Sequence, residues 1–560
     1  MNRRRIGPLV ILAMVLAGCN IPGSKVAQPP PRPASAHPGG TLTIGITSPG
    51  SVDPLTADTP TSRMIVGLLC DTLVSTNPKN GHPEPGLAQS WLVSGSTITL
   101  TLRRNLRMAN GDDLSAADVA YSLSQLVNPV NASPESGLLQ EIAGYDDLAG
   151  NLFAPSSAKL AGISVVDGTN VQITLSAPDP GFLMALTEPA TAPYAMEQAS
   201  EHPARFADDP MCVGPYYLVH PYSAGETNIQ LARSHDYYGR NVGFTGGGGG
   251  YADHIDLRVF PTAQDALDAQ RFGTVDLAEV PIDTTAPPVG HGSRLVSAAI
   301  PDEEYVGLPD GVGGIFDNVD VRLALSEAVN RQEIAANAWA GSVQAATGFV
   351  PKSIGLSSAA VSCTTAPASG NDTEARALLT TGERRQLAET HVNISVNADS
   401  ANVAEMSLLA TQWHRALGMT VTVVPLPWST YEQQATTGAG FEQPFRMSWS
   451  AQAATPTATY LDPSQFLLPL FDSLTNPEAD LEHYQNPALN VLMTGAALPA
   501  LQGLERNQQM RAIGHSLCTS MPIIPLVTAR SRWLIANQWK SARGTFLSPV
   551  GIPLLRELYR

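Results

Sequence analysis

The chain has 560 residues, which is enough for two to four domains at about 150 residues per domain. Hydrophobic residues make up 43% of it and charged residues 15%, and this composition excludes disorder as the dominant state. The formal net charge of −17 excludes the strong positive field that binding to nucleic acid or to an anionic membrane surface requires.

The N-terminus has the pattern of a secretory signal. Three arginines at positions 3–5 precede an apolar run over residues 6–16, which is too short to span a bilayer. The run leads into the residues LAGC at 16–19, which resemble the bacterial lipobox. We therefore predict a signal peptide over residues 1–18 and lipidation at Cys19. The alternative is an ordinary signal peptide followed by an incidental cysteine.

Residues 19–40 are rich in proline and small polar residues, a composition that favours an extended and solvated chain. We predict that they form a tether between the lipid anchor and a folded body. No later stretch of about twenty apolar residues indicates a second membrane crossing. The body is therefore predicted to lie on the outer face of the cytoplasmic membrane, held there by its lipid anchor.

An extracytoplasmic location permits disulfide bonds. Besides Cys19 the chain has four cysteines, namely Cys70, Cys212, Cys363 and Cys518, and these allow three pairings. Pairing within the halves of the chain would join Cys70 to Cys212 and Cys363 to Cys518. Four free thiols are the alternative.

The first half of the chain has the patterns of antiparallel strands. Residues 41–46 and 97–102 alternate apolar with polar side chains, which predicts two strands. Ser115, with Asp118 three positions later, predicts the start of a helix. A turn at Asp167-Gly168 between two alternating runs predicts a β-hairpin.

The second half has a different pattern. Alternating residues at 392–396, a helical apolar stripe over 403–417 and a further alternation at 419–423 predict a βαβ unit with parallel strands. Residues 320–340 predict one further helix. Both halves are therefore expected to be of the α/β type.

The sequence lacks the motifs of common enzymes. It contains no GxSxG, HExxH, Walker or EF-hand pattern, and its histidines are dispersed. We therefore predict that the protein is not an enzyme and that it has no catalytic residue, metal site or cofactor. A hydrolase with an unrecognised site is the alternative.

Several motifs recur in order along the chain: the stretch 68–126, VGPY at 213–216, DYYG at 236–239, FDNVDVRLAL at 316–325, PLPW at 425–428 and IIPL at 523–526. Together they resemble the family 5 bacterial solute-binding proteins, the peptide and nickel receptors of ABC importers. The resemblance implies an α/β, two-lobed periplasmic-binding-protein-like clamp of type II with an enlarged N-terminal lobe. It implies that residues 41–300 and 525–560 form lobe I and that residues 301–524 form lobe II.

The resemblance also implies a ligand site between the lobes. In peptide-binding members a tryptophan is followed closely by an aspartate, which pairs with the α-ammonium of the peptide. Here Trp449 and Ser450 match this segment, but no acid follows at the expected position. A buried ammonium without a carboxylate partner is costly, so this departure argues against an ordinary free peptide N-terminus. A modified peptide, a glycoconjugate or another polar solute remains open, and a core role is the alternative for Trp449.

Five other residues are candidates for ligand contact. Tyr305, Trp428 and Tyr460 flank segments that line the cleft in family members, although packing is the common role of such aromatic residues. Thr47 and Ser48 follow the first strand, where their hydroxyls are available for hydrogen bonds or for forming a turn.

The leading hypothesis is a monomeric, lipid-anchored receptor that delivers a peptide or peptide-like solute to the permease subunits of an ABC importer by closing around it. A second hypothesis keeps the fold but assigns it to an envelope lipoprotein that senses or organises glycolipid or cell-wall assembly. Reversible binding of a small solute with domain closure distinguishes the first from the second.

Overall fold

The computed structural model describes residues 38–79, 81–179, 181–240, 249–282, 284, 292–309, 314–351, 353–354, 363, 367–436, 441, 443–450, 463–471, 484–496 and 504–560. The predicted signal peptide, Cys19 and most of the predicted tether lie outside these residues. Within them, no helix has both the length and the apolar character needed to cross a membrane.

The strands, in chain order, are β1 (Thr41–Ile46), β2 (Val74–Thr76), β3 (Pro83–Pro85), β4 (Ala88–Ser94), β5 (Thr97–Leu102), β6 (Ile163–Val165), β7 (Asn170–Thr174), β8 (Tyr216–Leu218), β9 (Asn228–Arg233), β10 (His254–Val259), β11 (Leu277–Glu279), β12 (Ser293–Gly307), β13 (Val343–Ala345), β14 (His391–Asn397), β15 (Thr420–Leu426), β16 (Phe445–Ser450), β17 (Ile523–Ala536), β18 (Lys540–Ser541) and β19 (Leu558–Tyr559).

The helices are α1 (Pro60–Leu69), α2 (Ala116–Val127), α3 (Tyr145–Ala149), α4 (Met196–Glu201), α5 (Pro203–Asp208), α6 (Ala263–Arg271), α7 (Val319–Glu327), α8 (Arg331–Asn337), α9 (Asp372–Ala377), α10 (Thr381–Glu389), α11 (Ser400–Leu417), α12 (Trp428–Thr436), α13 (Pro463–Phe471), α14 (Pro487–Ala496) and α15 (Leu504–Ser520).

One long mixed sheet runs through the molecule in the order β15-β14-β16-β12-β17-β11-β1-β10-β9-β8, and β13 also pairs with β17. A separate sheet, β4-β5-β7-β6, belongs to the N-terminal part of the chain. β12 and β17 occupy the middle of the long sheet, so they connect its two ends.

The buried hydrophobic side chains form two large clusters. The first core contains residues from 42–277 and from 533–558, and the second core contains residues from 305–527. The C-terminal tail therefore packs with the N-terminal part of the chain. We call the regions around these clusters the first and second lobes. The lobe boundaries near residues 300 and 525 remain predictions, and the composition of the two cores supports them.

Each lobe contains one disulfide bond. The structure joins Cys70 to Cys212 and Cys363 to Cys518, with sulfur–sulfur distances of 2.06 and 2.00 Å. This is the pairing within halves, one of the three arrangements that the sequence left open. Each bond closes a long loop inside one lobe, so neither of them ties the two lobes together.

The local patterns of the sequence agree with the structure in most places. β1, β5 and the antiparallel β6–β7 hairpin form where alternation predicts them. The predicted βαβ unit is β14–α11–β15, whose strands pair in parallel. The apolar stripe of α11 faces the second core, where Met406, Leu409 and Trp413 are fully buried.

The single helix predicted over residues 320–340 is wrong. The structure has two helices, α7 and α8, with a break at 328–330. Asn330 starts α8, because its side chain accepts a hydrogen bond from the backbone N–H of Glu333 at 3.0 Å. The buried Arg331 then donates through Nε to the carbonyl of Pro525 at 2.6 Å. This distant partner favours the break, and apolar periodicity gives no sign of it.

The predicted cap of α2 provides a test of local stability. Ser115 Oγ accepts from the backbone N–H of Asp118 at 3.4 Å, and Asp118 Oδ2 accepts from the Ser115 N–H at 2.9 Å. Replacing Ser115 with alanine is expected to lower the free energy of unfolding by about 1 kcal/mol. Ser407→Ala, at an exposed position within α11, is the control. Equal effects of the two substitutions on chemical denaturation would show that the cap contributes nothing specific.

Candidate functional site

The two lobes are connected through β12 and β17, which pair antiparallel over most of their length. In the first lobe the pairing runs from Ser293 with Ala536 to Ala299 with Arg530. In the second lobe it resumes with Glu303 opposite Thr528. Residues 300–302 therefore form an irregularity at the point where the chain passes from one core to the other. Such bulges bend a strand and redirect its side chains, so we treat this crossover as the junction at which the lobes move.

The end of β1 lies on the side of the sheet that faces the crossover. β1 runs parallel to β11, which in turn runs antiparallel to β17. β1 and β17 therefore run in opposite directions. Because β17 begins in the second lobe, the C-terminal end of β1 points toward that lobe. Thr47 and Ser48 follow β1 at this edge, where Thr47 is half-buried and Ser48 is exposed. Ser48 Oγ accepts from the backbone N–H of Gly50 at 3.4 Å, which is the turn-forming role considered as the alternative.

The predicted Trp449 segment lies on the other side of β12, in the second lobe. β16 pairs with β12 so that Ser450 lies opposite Asp302 and Trp449 lies opposite Glu303. The side chains of Trp449 and Ser450, and all of Tyr460, lie outside the described part of the chain. The contact of these three residues with a ligand therefore remains a prediction. The register places the backbone of Trp449 and Ser450 directly beside the crossover.

Tyr305 and Trp428 have different surroundings. Tyr305 is 1% exposed and packs in the second core with its ring 6.4 Å from that of Phe445. This burial corresponds to the packing role considered as the alternative, because it leaves no ring surface for a ligand in this arrangement. Trp428 is 58% exposed at the start of α12, with its ring stacked 6.3 Å from that of Tyr431. Trp428 therefore remains a candidate for ligand contact.

Three consecutive acidic residues, Asp302, Glu303 and Glu304, begin at the last residue of the irregularity in β12, and they were not among the residues predicted from the sequence. Asp302 is half-buried, and its Oδ1 is buried without a hydrogen-bond donor among the described residues. Glu303 is 3% exposed, and its Oε1 is likewise buried without a hydrogen-bond donor among the described residues. Glu304 is buried and forms an ion pair with Arg446. The available signal was the run of three acids between the mainly apolar residues 298–301 and 305–306.

The positive charges near these acids already have partners. Arg446 pairs with Glu304, and its Nε also lies 3.2 Å from Glu405 Oε2. Arg331 donates to the carbonyl of Pro525 and, at 2.8 Å, to Ser326 Oγ. Among the described residues around positions 302–304, carboxylates therefore outnumber guanidinium groups. Buried charge of one sign is stable only if it is protonated or meets a counter-charge, so this site favours a cationic group from outside.

The acid side chains show the electrostatic cost of this excess. Burial raises the pKa of Asp302 to about 6, and nearby Arg446 lowers it by less. Burial likewise raises the pKa of Glu303 and of Glu304 well above the usual range for a glutamate. At neutral pH Asp302 is therefore mostly ionised, at an energetic cost, whereas Glu303 and Glu304 resist ionisation unless a cation lies close to them.

Stability should depend on pH in the corresponding direction. A carboxyl with a raised pKa binds a proton in the folded state that it has lost in the unfolded state, between about pH 4 and pH 6 for Asp302. Its contribution to stability is therefore complete below pH 4 and is lost as the pH rises through 6. We expect the difference in unfolding free energy between the native chain and Asp302→Asn to change by up to about 1.4 kcal/mol per pH unit in this window. Parallel pH profiles for the two proteins in chemical denaturation would contradict the assignment.

Comparison with known proteins gives the family. Residues 82–476 match the model of the bacterial extracellular solute-binding proteins, family 5. The periplasmic oligopeptide-binding protein OppA of Escherichia coli is 24% identical over 429 residues, which cover 74% of this chain and 73% of OppA. A dipeptide-binding protein of Lactococcus lactis subsp. cremoris is 26% identical over 383 residues, which cover 64% of this chain and 67% of that protein.

Solved structures share the fold. The unliganded open form of the periplasmic murein tripeptide-binding protein MppA superimposes with a TM-score of 0.76 at 20% identity and covers 94% of this chain and 98% of its own. The fold is that of a two-lobed binding protein. Because the family match over residues 82–476 covers more than half of the chain, the chain belongs to family 5 of the bacterial extracellular solute-binding proteins.

Proposed function

We propose that this chain is a lipid-anchored extracytoplasmic receptor that binds a peptide or peptide-like solute with a cationic group between its lobes and delivers it to an ABC importer. The observation that carries the proposal is the register at the crossover, which sets the partly buried Asp302 opposite Ser450 and next to the position of Trp449. The names of the relatives support the ligand class, since they include oligopeptide-binding, dipeptide-binding and glutathione-binding proteins.

Asp302 compensates for the acid that is missing after Trp449. The expected acid would lie on the chain just beyond β16, whereas Asp302 lies on the neighbouring strand, opposite the end of β16. An ammonium or guanidinium group of the ligand would pair with the carboxylate of Asp302 when binding removes that group from water. The Trp449 segment alone argued against a ligand with a free peptide N-terminus. With Asp302 as the counter-charge, such a ligand is again a candidate.

The binding step requires no reactive group. A solute that touches both lobes binds more tightly to the closed arrangement, and this difference in affinity drives closure. A micromolar dissociation constant corresponds to about −8 kcal/mol, which is attainable when closure removes most of a small ligand from water. The closed form then differs in shape from the open form, and the permease recognises that difference.

Native mass spectrometry of protein purified without refolding tests the receptor role. We expect a bound small species of defined mass, which a tripeptide library with free amino termini displaces and an N-acetylated library does not. A chain that carries no small species and binds neither library would contradict the proposal. Displacement by both libraries to the same extent would contradict the role of the cationic group.

The anchor is tested separately. Protein extracted from membranes with detergent is expected to begin at a lipid-modified Cys19, as read by mass spectrometry of its N-terminal peptide. An unmodified N-terminus in that fraction would overturn the anchor while leaving the receptor role intact. Cys19→Ala is expected to release the protein from the membrane.

A further inference from the structure

A cavity of about 210 Å³ lies inside the first lobe, beside α1. Its described walls come from the C-terminal half of α1, from residues 187–189 and from the C-terminal segment 548–557. Every described lining residue belongs to the first lobe, so this cavity is not part of the space between the lobes.

One end of the cavity lies far from the crossover along the sheet. Its lining residues Arg556 and Glu557 are near the start of β10, because the backbone N–H of Gly250 donates to the carbonyl of Arg556 at 2.9 Å. β10 and β1 are parallel and begin at the same edge of the sheet. The crossover lies near the other edge, where β1 ends. Residues 549–550 and 552–553 line the cavity, and this segment lies next to the crossover. Within that segment Gly551 packs against Ile300 and Ser531 instead of lining the cavity.

The arginines that line the cavity are each neutralised by a carboxylate. Arg63 is paired with Glu135, Arg543 lies 2.8 Å from Glu84, and Arg556 lies 2.6 Å from Asp71. Asp71 also accepts hydrogen bonds from the hydroxyl groups of two tyrosines, Tyr237 at 2.7 Å and Tyr238 at 2.8 Å. Arg556 also donates to the carbonyl of Gly67, so this side chain links the C-terminal segment to α1. In each of these ion pairs the arginine has a carboxylate partner.

Two further carboxyl groups line the cavity and form no close ion pair with a described residue, although nearby arginines act on both of them. Glu557 is 3% exposed, and its carboxyl accepts no hydrogen bond from the described residues. Glu188 is half-buried, and its carboxyl is likewise without a hydrogen bond. Burial raises the pKa of each to about 7, although Arg63 lowers that of Glu188 and Arg543 and Arg556 lower that of Glu557. A bound cation would stabilise the ionised form of both groups.

The remaining wall is mainly apolar. Met64, Leu68, Val550, Ile552 and Leu554 line it, so an alkyl group in the cavity would be removed from water. Apolar walls with a few polar groups at fixed positions are typical of small-molecule sites.

We propose that this cavity is a second ligand site, for a small organic ammonium ion whose apolar body lies against α1 and the C-terminal segment and whose charge is met by Glu557 and Glu188. The site is built from one lobe alone, so its occupation does not require the lobes to close. It is therefore independent of the solute site at the crossover.

Titration calorimetry of the mature chain with n-butylammonium chloride tests this site, with n-butanol and sodium butyrate as matched neutral and anionic probes. We expect the ammonium ion to bind and the other two probes to bind at least tenfold more weakly. Glu557→Gln is expected to raise the dissociation constant for n-butylammonium at least tenfold, which is the loss of about 1.4 kcal/mol. Glu389→Gln, which changes an exposed carboxyl at the end of α10, is expected to leave it unchanged.

Gly67→Leu separates binding from folding. Gly67 is in α1 on the cavity wall, and a Cβ there would meet no other atom within 4 Å. A leucine at this position is therefore expected to project into the cavity and to abolish binding of n-butylammonium, while Asp302→Asn at the crossover retains it. Equal binding to the native chain and to Gly67→Leu, equal binding of n-butanol, or no binding of n-butylammonium to the native chain would each overturn the proposal.

Discussion

Replacing Arg446 with methionine is expected to lower the free energy of unfolding by about 3–5 kcal/mol. Arg446 is the cation shared by Glu304 on β12 and Glu405 on α11, and all three side chains are buried. Methionine has a similar length but removes the charge, so two buried carboxyls are left beside each other without a counter-ion. Hydrogen exchange should show the loss first at β16 and α11, which these ion pairs hold together.

Two controls test whether the loss of stability in Arg446→Met comes from the unpaired buried carboxyls. Arg415→Met removes a more exposed ion pair, in which Arg415 Nε lies 3.0 Å from Asp372 Oδ2, and is expected to cost no more than about 1 kcal/mol. Adding Glu304→Gln and Glu405→Gln to Arg446→Met should recover much of the lost stability, because neither former partner of Arg446 then carries an unpaired charge. A loss below 1 kcal/mol for Arg446→Met would mean that the two glutamates are already protonated in the native protein.

Replacing Asp302 with asparagine is expected to have opposite effects on binding and on stability. Loss of one partner of a buried charge pair costs about 2–5 kcal/mol, so the dissociation constant for tripeptides with a free amino terminus should rise at least about 30-fold. The unliganded protein should become more stable at pH 7.5, because the substitution removes a carboxylate whose Oδ1 is buried without a donor. Titration calorimetry and chemical denaturation measure the two effects on the same sample.

The opposite signs separate a ligand-binding role from a structural one. A residue that only supports the fold would lower stability and affinity together when it is changed. The matched control is Asp320→Asn, at an exposed position in the first turn of α7, which should alter neither quantity. Unchanged affinity in Asp302→Asn would remove Asp302 from the site and would leave the family assignment untouched.

Local sequence patterns were sufficient where the driving force is local. Val392, Ile394 and Val396 alternate because one face of β14 is buried, and the spacing of Met406, Leu409 and Trp413 reflects the buried side of α11. The break between α7 and α8 was missed because it depends on Arg331, whose partner Pro525 is 194 positions away. Apolar periodicity contains no information about a buried arginine that bonds to a distant carbonyl.

The long-range pairing came from the resemblance to a family and not from periodicity. Ser293 pairs with Ala536, and no pattern within either strand specifies a partner so far along the chain. The same limit applies to the candidate site. Three acids at 302–304 are typical of a turn, and nothing in their local sequence indicates that Arg446 on β16 and Arg331 on α8 lie near them in the fold. The Trp449 segment was identified by the family pattern, whereas Asp302 became a candidate only through the register of the strands.

Small-angle X-ray scattering with and without bound solute tests the central claim most directly, because the claim is that two lobes close on a guest about the β12–β17 crossover. The sample without solute is expected to have the larger radius of gyration, and saturation with the species identified by native mass spectrometry should reduce it. Asp302→Asn should require a higher concentration of that species for the same reduction. Saturated binding with an unchanged scattering profile would contradict the account.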